Sequence, residues 1–124
     1  MVTPQDFDNG KIRLWSYKGV PVVEPYTNGE ITLEDCHWIA QIGVEHFDSP
    51  YLINRKKTDY SVSPEAQVFL MEIAGSAEKC AYVVDNQEQF RLAEMAAQTF
   101  WSELKTQTFF DMEQAYNWLT ESSS

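Results

Sequence analysis

Hydrophobic residues follow two spacings along the chain, one typical of strands and the other typical of helices. Residues 11–17 alternate apolar and polar side chains, and Lys18-Gly19 then allows a reversal into a short apolar segment at residues 20–24. These two segments predict an N-terminal hairpin. Prolines at the second strand predict that it lies at a sheet edge or has irregular ends. The complete set of predicted strands is 11–17, 20–24, 51–54, 80–84 and 106–110.

Each predicted helix begins with a residue that can cap its first backbone N–H groups. Thr32 and Asp35 have the spacing of a capping box. Ser63, Pro64 and Glu65 supply a hydroxyl cap, a residue that needs no N–H partner and an acid near the positive end of the helix. The other two starts are predicted at Asp85 or Asn86, and at Asp111 with Gln114 as its partner. Helices therefore alternate with strands after the hairpin, which predicts one α/β domain over residues 1–124 with a mostly parallel sheet.

Composition and charge exclude several classes of protein. The chain has 124 residues, of which 44% are hydrophobic, and this is enough to form one globular core. Its net charge is -10, from 19 acidic and 9 basic residues. Such a charge repels phosphate backbones and anionic membranes, so we expect no nucleic-acid partner. The first ten residues lack the features of a signal peptide and the apolar runs are short, so we expect a cytoplasmic protein with no membrane insertion.

Reactive side chains do not form a catalytic or metal-binding pattern in the sequence. Cys36 and His37 are adjacent and diverge on a helix, which argues against a nucleophile–base pair. His37 and His46 are nine residues apart and fall on nearly opposite sides of the same helix. Cys36 and Cys80 lie among apolar residues and are interpreted as reduced core cysteines. We therefore expect a protein that is not an enzyme and that has no cofactor and no metal site.

Two segments resemble a known family. They are INRKKTDYSVSPEA at residues 53–66 and TFFDMEQAYNWL at residues 108–119. With the order of elements, they resemble the SpoIIAA-like fold, the STAS domain of anti-anti-sigma factors, and within it a group of small uncharacterised bacterial STAS-like proteins. The resemblance implies a five-stranded, mostly parallel mixed sheet with an N-terminal hairpin and four helices. It also implies a non-enzymatic regulatory or interaction protein.

The resemblance points to two serines as candidate phosphorylation sites. Anti-anti-sigma factors carry an Asp-Ser-Ser-Gly type sequence at the turn from the third strand into its helix, and a partner kinase phosphorylates a serine there. This chain has Tyr60-Ser61-Val62-Ser63-Pro64 at that turn, without a glycine. Ser61 and Ser63 occupy about the right place, although Ser63 is also the predicted helix cap.

A binding site is predicted where the parallel strands end, because ligands of open α/β sheets bind at the carboxyl ends of the strands. The residues there could contact an unidentified protein partner or, as the alternative, a small anionic or lipid-like ligand. For any one of these residues, the simpler interpretation is a solvated loop whose basic residues offset an acidic surface. The candidate residues are Asn54, Arg55, Lys56, Lys57, Tyr60, Ser61, Ser63, Asp85 and Asn86.

Aromatic residues suggest self-association. Trp15, Tyr17 and Trp38 do not all fit the apolar stripes that face the predicted core. An exposed patch formed by some of them would suit a second copy of the chain. The sequence therefore predicts a homodimer.

Overall fold

The computed structural model describes residues 6–58, 60–75, 77–100 and 105–121. Within these ranges the chain forms eight strands and four helices. The strands are β1 (Asp6–Asp8), β2 (Ile12–Tyr17), β3 (Val20–Pro25), β4 (Glu30–Ile31), β5 (Tyr51–Arg55), β6 (Ser61–Val62), β7 (Lys79–Val83) and β8 (Thr106–Phe109). The helices are α1 (Leu33–His46), α2 (Pro64–Gly75), α3 (Gln87–Phe100) and α4 (Met112–Thr120).

Six of the strands form one mixed sheet in the order β1-β2-β3-β5-β7-β8. The pairs β1–β2 and β2–β3 are antiparallel, whereas β3–β5, β5–β7 and β7–β8 are parallel. The hairpin turn has positive φ angles at Lys18 (51°) and Gly19 (87°), a conformation that glycine adopts without steric cost. The mostly parallel α/β sheet, the hairpin and the four helices predicted from the sequence are therefore confirmed.

The strand count is higher than the five predicted. The main sheet gains β1, and β4 pairs with β6 in a separate two-stranded parallel sheet. These three strands have two or three residues each, too few to show a period of two. The second hairpin strand, β3, lies inside the sheet between β2 and β5, so an edge position was wrong. Pro21 and Pro25 lie near its ends, and both stay in continuous register with β2.

The helices begin at the predicted caps. Thr32 Oγ1 accepts a hydrogen bond from the Asp35 backbone N–H (3.3 Å), and the Asp35 carboxylate accepts one from the Thr32 N–H (2.9 Å), which completes a capping box. Ser63 Oγ accepts from the Ala66 N–H (3.2 Å). Of the two candidates for the third helix, Asn86 is the cap, since its Oδ1 accepts from the Gln89 N–H (2.9 Å).

Helices cover both faces of the sheet. Residues of α1 and α2 contribute to one buried cluster, which contains Ile12, Leu14, Val23, Ile31, Cys36, Ile39 and Ala66. Residues of α4 contribute to the cluster on the other face, which contains Val20, Val22, Ile53, Ala81, Val83, Ala115 and Leu119. Successive crossovers step in one direction across the sheet, and right-handed connections then place α1, α2 and α3 on the same face.

This arrangement divides the predicted aromatic patch. Trp15 and Tyr17 are half-buried beside the cluster under α4, and the Tyr17 ring meets Tyr116 edge-to-face with centroids 6.0 Å apart. Trp38 packs against the cluster on the opposite face. The three residues therefore do not form one patch, because Trp15 and Tyr17 lie on the face that α4 covers and Trp38 lies on the other face.

The two cysteines are buried, and neither forms a disulfide. Burial raises the pKa of the Cys36 thiol to about 11 and that of Cys80 to about 12. Thiols with such high pKa values stay protonated and are poor nucleophiles at neutral pH. Both are core residues, as predicted.

Candidate functional site

The nine candidate residues lie at or next to the carboxyl ends of β5 and β7. We call them together the carboxyl-edge site: Asn54, Arg55, Lys56, Lys57, Tyr60, Ser61, Ser63, Asp85 and Asn86. The first two end β5, Asp85 and Asn86 follow β7, and the others lie on the connection from β5 through β6 to α2. The helix N-termini of α2 and α3 adjoin these residues.

Arg55 joins the two strand ends to each other. Its guanidinium donates to the Asp85 carboxylate and also to the backbone carbonyls of Val83 and Lys56, both at 3.2 Å. Only 15% of the Arg55 side chain is exposed, against 49% for Asp85. The arginine therefore fixes the geometry of the edge, and most of its donors point into the protein. Both residues are among the predicted site residues, but the sequence does not predict that they pair.

Lys56 and Tyr60 form a second contact within the site. Lys56 Nζ lies 4.3 Å from the centroid of the Tyr60 ring, a cation–π distance. Burial raises the pKa of Tyr60 to about 12, although the neighbouring Asn54 amide opposes this shift. Tyr60 also packs against the apolar cluster on the face of α1 and α2. The phenol is therefore neutral at physiological pH and anchors the loop.

Asn54 carries a polar atom without a protein partner. Its Oδ1 is buried and accepts no hydrogen bond from any residue in the described ranges. Its cross-strand neighbour on β7 is Tyr82, a phenol whose pKa burial also raises. Asn54 and Tyr82 are thus neighbouring polar residues on β5 and β7, two interior strands of the main sheet.

Lys57 reaches toward the end of β3. Its Nζ lies 3.8 Å from Glu24 Oε2, and 48% of its side chain is exposed, against 10% for Glu24. The Thr58 hydroxyl donates to the carbonyl of Thr27 (2.7 Å), which ties the same loop to the segment after β3. Sequence reasoning missed Glu24 because it placed β3 at a sheet edge. The available signal was a single acidic residue near the end of an otherwise apolar strand.

The two serines differ in accessibility. Ser61 is exposed on β6, and its backbone N–H donates to the carbonyl of Gly29 (3.1 Å). Ser63 is buried, its N–H donates to the carbonyl of Ile31 (3.0 Å), and its hydroxyl caps α2. Of the two phosphorylation candidates, Ser61 is thus exposed, whereas Ser63 is buried and caps α2.

The histidines lie apart and contact aromatic rings. His37 meets Phe69 with ring centroids 4.7 Å apart, and His46 meets Phe7 at 4.6 Å. Within the described ranges, no three His, Cys, Asp or Glu side chains are grouped in a way that could hold a metal ion. In the same ranges no helix combines the length and the apolar character needed to cross a bilayer.

Comparison with solved structures shows the class of fold. The chain resembles the crystal structure of an uncharacterized DUF3478-family protein with a SpoIIAA-like fold from Shewanella loihica PV-4, with a TM-score of 0.59. The two sequences are 12% identical, and the similarity covers 94% of this chain and 92% of the other. No family model matches the sequence, and no curated protein matches it. The protein has a SpoIIAA-like fold, as the sequence resemblance implied.

Proposed function

We propose that this protein is a non-enzymatic regulatory protein of STAS-like type that binds a protein partner through the carboxyl-edge site. The SpoIIAA-like fold supports the class, and the Arg55–Asp85 ion pair supports the surface. That pair connects two neighbouring strand ends, so the exposed residues around it are held in fixed positions. A preorganised surface loses less conformational entropy on binding than a mobile loop does.

The contacts of the basic residues favour a protein partner over a small anionic ligand. An anion site needs cationic donors that point outward, whereas Arg55 directs its donors to Asp85 and to backbone carbonyls. Lys57 has a half-exposed side chain whose ammonium group lies 3.8 Å from Glu24 Oε2, and Ser61 and Asn86 are exposed neutral residues of the same site. A mixture of charged and neutral polar groups is typical of the rim of a protein interface.

Charge reversal at Lys57 tests the surface directly. The tagged wild-type protein and a Lys57→Glu variant are used to capture partners from a lysate of the source organism. Lys105→Glu is the matched control, because it makes the same charge change at an exposed residue just before β8, at the amino end of that strand and away from the carboxyl ends of β5 and β7. We expect Lys57→Glu to lose the captured partner and Lys105→Glu to retain it. Equal capture by both variants would show that the carboxyl edge is not the binding surface.

Phosphorylation, if it regulates this site, is proposed at Ser61. The Ser61 side chain is accessible, whereas a phosphate on Ser63 would need to replace a buried helix cap. Ser61→Glu should keep the fold of the wild type, because Ser61 is exposed, and should reduce partner capture, because it adds negative charge to the proposed partner surface. If Ser61→Glu captures the partner as well as the wild type does, phosphorylation at this position has no regulatory effect.

A homodimer is also part of the proposal. The two outer strands of the main sheet, β1 and β8, each have one edge without a strand neighbour in the described structure, and such edges can pair with a second copy. Light scattering over a range of protein concentrations measures the mass in solution. A mass of one chain, 14.3 kDa, at all concentrations would exclude the dimer.

A further inference from the structure

An apolar pocket of about 310 Å³ lies between the second half of α1 and the sheet, toward the amino ends of β3 and β5. The sheet forms one wall and the helix forms the other, and Ile73 and Ala77 contribute from the end of α2 and the turn after it. Representative residues of the two walls are Leu14, Val23, Leu52, Ile39, Gly43 and Phe47. The pocket is thus at the other end of β5 from the carboxyl-edge site.

The residues that line the pocket favour an uncharged ligand over a charged one. None of the described residues that line the pocket is Asp, Glu, Lys, Arg or His. The Ser49 hydroxyl is engaged with Tyr51, since it accepts from the backbone N–H (3.1 Å) and donates to the carbonyl (3.3 Å). A charged group placed in such a wall would lose its hydration without gaining a partner, which costs several kcal/mol. An apolar group would instead gain from leaving water.

The size and opening of the pocket limit the ligand further. The volume is near the lower end of the range for small-molecule sites, which is about 300–1,000 Å³. At about 30 Å³ for each water-sized group, it holds roughly ten such groups. Val44, which lines the rim, is 86% exposed, so the pocket opens to solvent beside this residue. The space fits a compact molecule and is too small for a complete membrane lipid.

We propose that this pocket binds an uncharged, hydrocarbon-rich small molecule of about ten carbon-sized groups. The site is separate from the proposed partner surface and depends on none of its residues. A ligand here would bridge α1 and the sheet by filling space that the side chains leave open.

Gly43 provides a way to block the pocket. It lines the pocket from α1, and a Cβ atom built at this position meets no other atom within 4 Å. In the Gly43→Phe variant, the Cβ atom therefore has room, and the aromatic ring would occupy the pocket in place of a ligand. Val68→Phe is the matched control, because it adds an aromatic ring at an exposed position of α2 that does not line the pocket.

The probes are 1-octanol and octanoate, which share a chain length and differ in charge. Calorimetric titration of the wild type should show saturable binding of 1-octanol, with octanoate at least tenfold weaker. Gly43→Phe should lower the affinity for 1-octanol at least tenfold, and Val68→Phe should leave it unchanged. The proposal is wrong if 1-octanol does not saturate, if octanoate binds as tightly, or if Gly43→Phe binds like the wild type.

Methyl NMR on the wild type provides a measurement that does not depend on how the variant folds. Addition of 1-octanol should shift the methyl signals of Ile39, Val44 and Leu52, which line the pocket, and leave that of the exposed Val68 in place. Shifts confined to other methyl groups would overturn the assignment. Partner capture by Gly43→Phe should match the wild type, so failure of the pocket and failure of the partner surface give different results.

Discussion

Strand β5 contributes to two regions with opposite properties. At its carboxyl end, Asn54 and Arg55 belong to a polar site in which Arg55 pairs with Asp85. Toward its amino end, Tyr51 and Leu52 line an apolar pocket that the surrounding side chains do not fill. The five residues of β5 thus extend from the carboxyl-edge site at one end of the strand to the apolar pocket at the other end. The first region carries the proposed partner surface, and the second is the proposed ligand pocket.

The largest effect is expected from Leu14, because it belongs to both the core and the pocket wall. Its side chain is buried, and Leu14→Ala should destabilise the protein by about 2–5 kcal/mol, near the upper part of that range. The neighbouring pocket already lacks atoms, so the new cavity merges with existing space. Urea denaturation measures the loss. Leu119→Ala, a buried leucine under α4 away from the pocket, is the control, and an equal or larger loss there would contradict this reasoning.

A smaller loss is expected at Asp35, a buried charged group near the start of α1. Its carboxylate accepts from Lys11 Nζ (2.6 Å), from Asn9 Nδ2 (3.1 Å) and from both the backbone and the hydroxyl of Thr32. Asp35→Ala removes the capping box and leaves Lys11 without this partner, and should cost about 2 kcal/mol. Thermal or urea denaturation at pH 7 measures it. A cost below about 0.5 kcal/mol, as at an ordinary surface site, would show that the network adds little.

The same carboxylate predicts a pH dependence. Burial alone would raise the pKa of Asp35, but the hydrogen bonds from Lys11 and Thr32 outweigh it and hold the pKa below its usual value. The folded pKa is thus lower than the unfolded value of about 3.9, so the stabilisation is complete above that pH and is lost as the pH falls through the folded pKa. The stability difference between the wild type and Asp35→Asn should therefore shrink below about pH 4. A difference that stays constant from pH 7 to pH 3 would contradict this assignment.

Local features of this structure were predictable from the sequence, and long-range ones were not. The capping box of Thr32 and Asp35 and the cap at Ser63 depend on residues three apart, so sequence spacing was sufficient. The interior position of β3 depends on pairing with β5 across more than twenty intervening residues, and the prolines suggested otherwise. The Arg55–Asp85 pair and the pocket depend on how side chains from distant segments meet. Residue types selected the nine candidate residues, but they could not show that Arg55 would bond to Asp85 and to backbone carbonyls.

The two serines of the carboxyl-edge site should differ by about 1 kcal/mol in their effect on stability. Ser63→Ala removes a buried N-cap, and such changes cost about 0.5–2 kcal/mol. Ser61→Ala changes an exposed side chain at the short β6 strand and should stay within about 0.5 kcal/mol of the wild type. Urea denaturation of both variants measures the difference. Equal effects would mean that the side chain of Ser63 is not the structural cap of α2.

The smallest effect, and one of opposite sign, is expected at the pocket. Gly43 lies within α1, and glycine in a helix interior is less favourable than alanine by about 1 kcal/mol. Since the added Cβ meets no atom within 4 Å, Gly43→Ala should stabilise the protein by about 0.5–1 kcal/mol, as measured by urea denaturation. Ala40→Gly, the reverse change one turn earlier, should destabilise it by a similar amount. If Gly43→Ala instead destabilises the protein, the space beside Gly43 is needed by the native packing and the pocket is smaller than described. A gain would show that this region of the molecule tolerates an added methyl group.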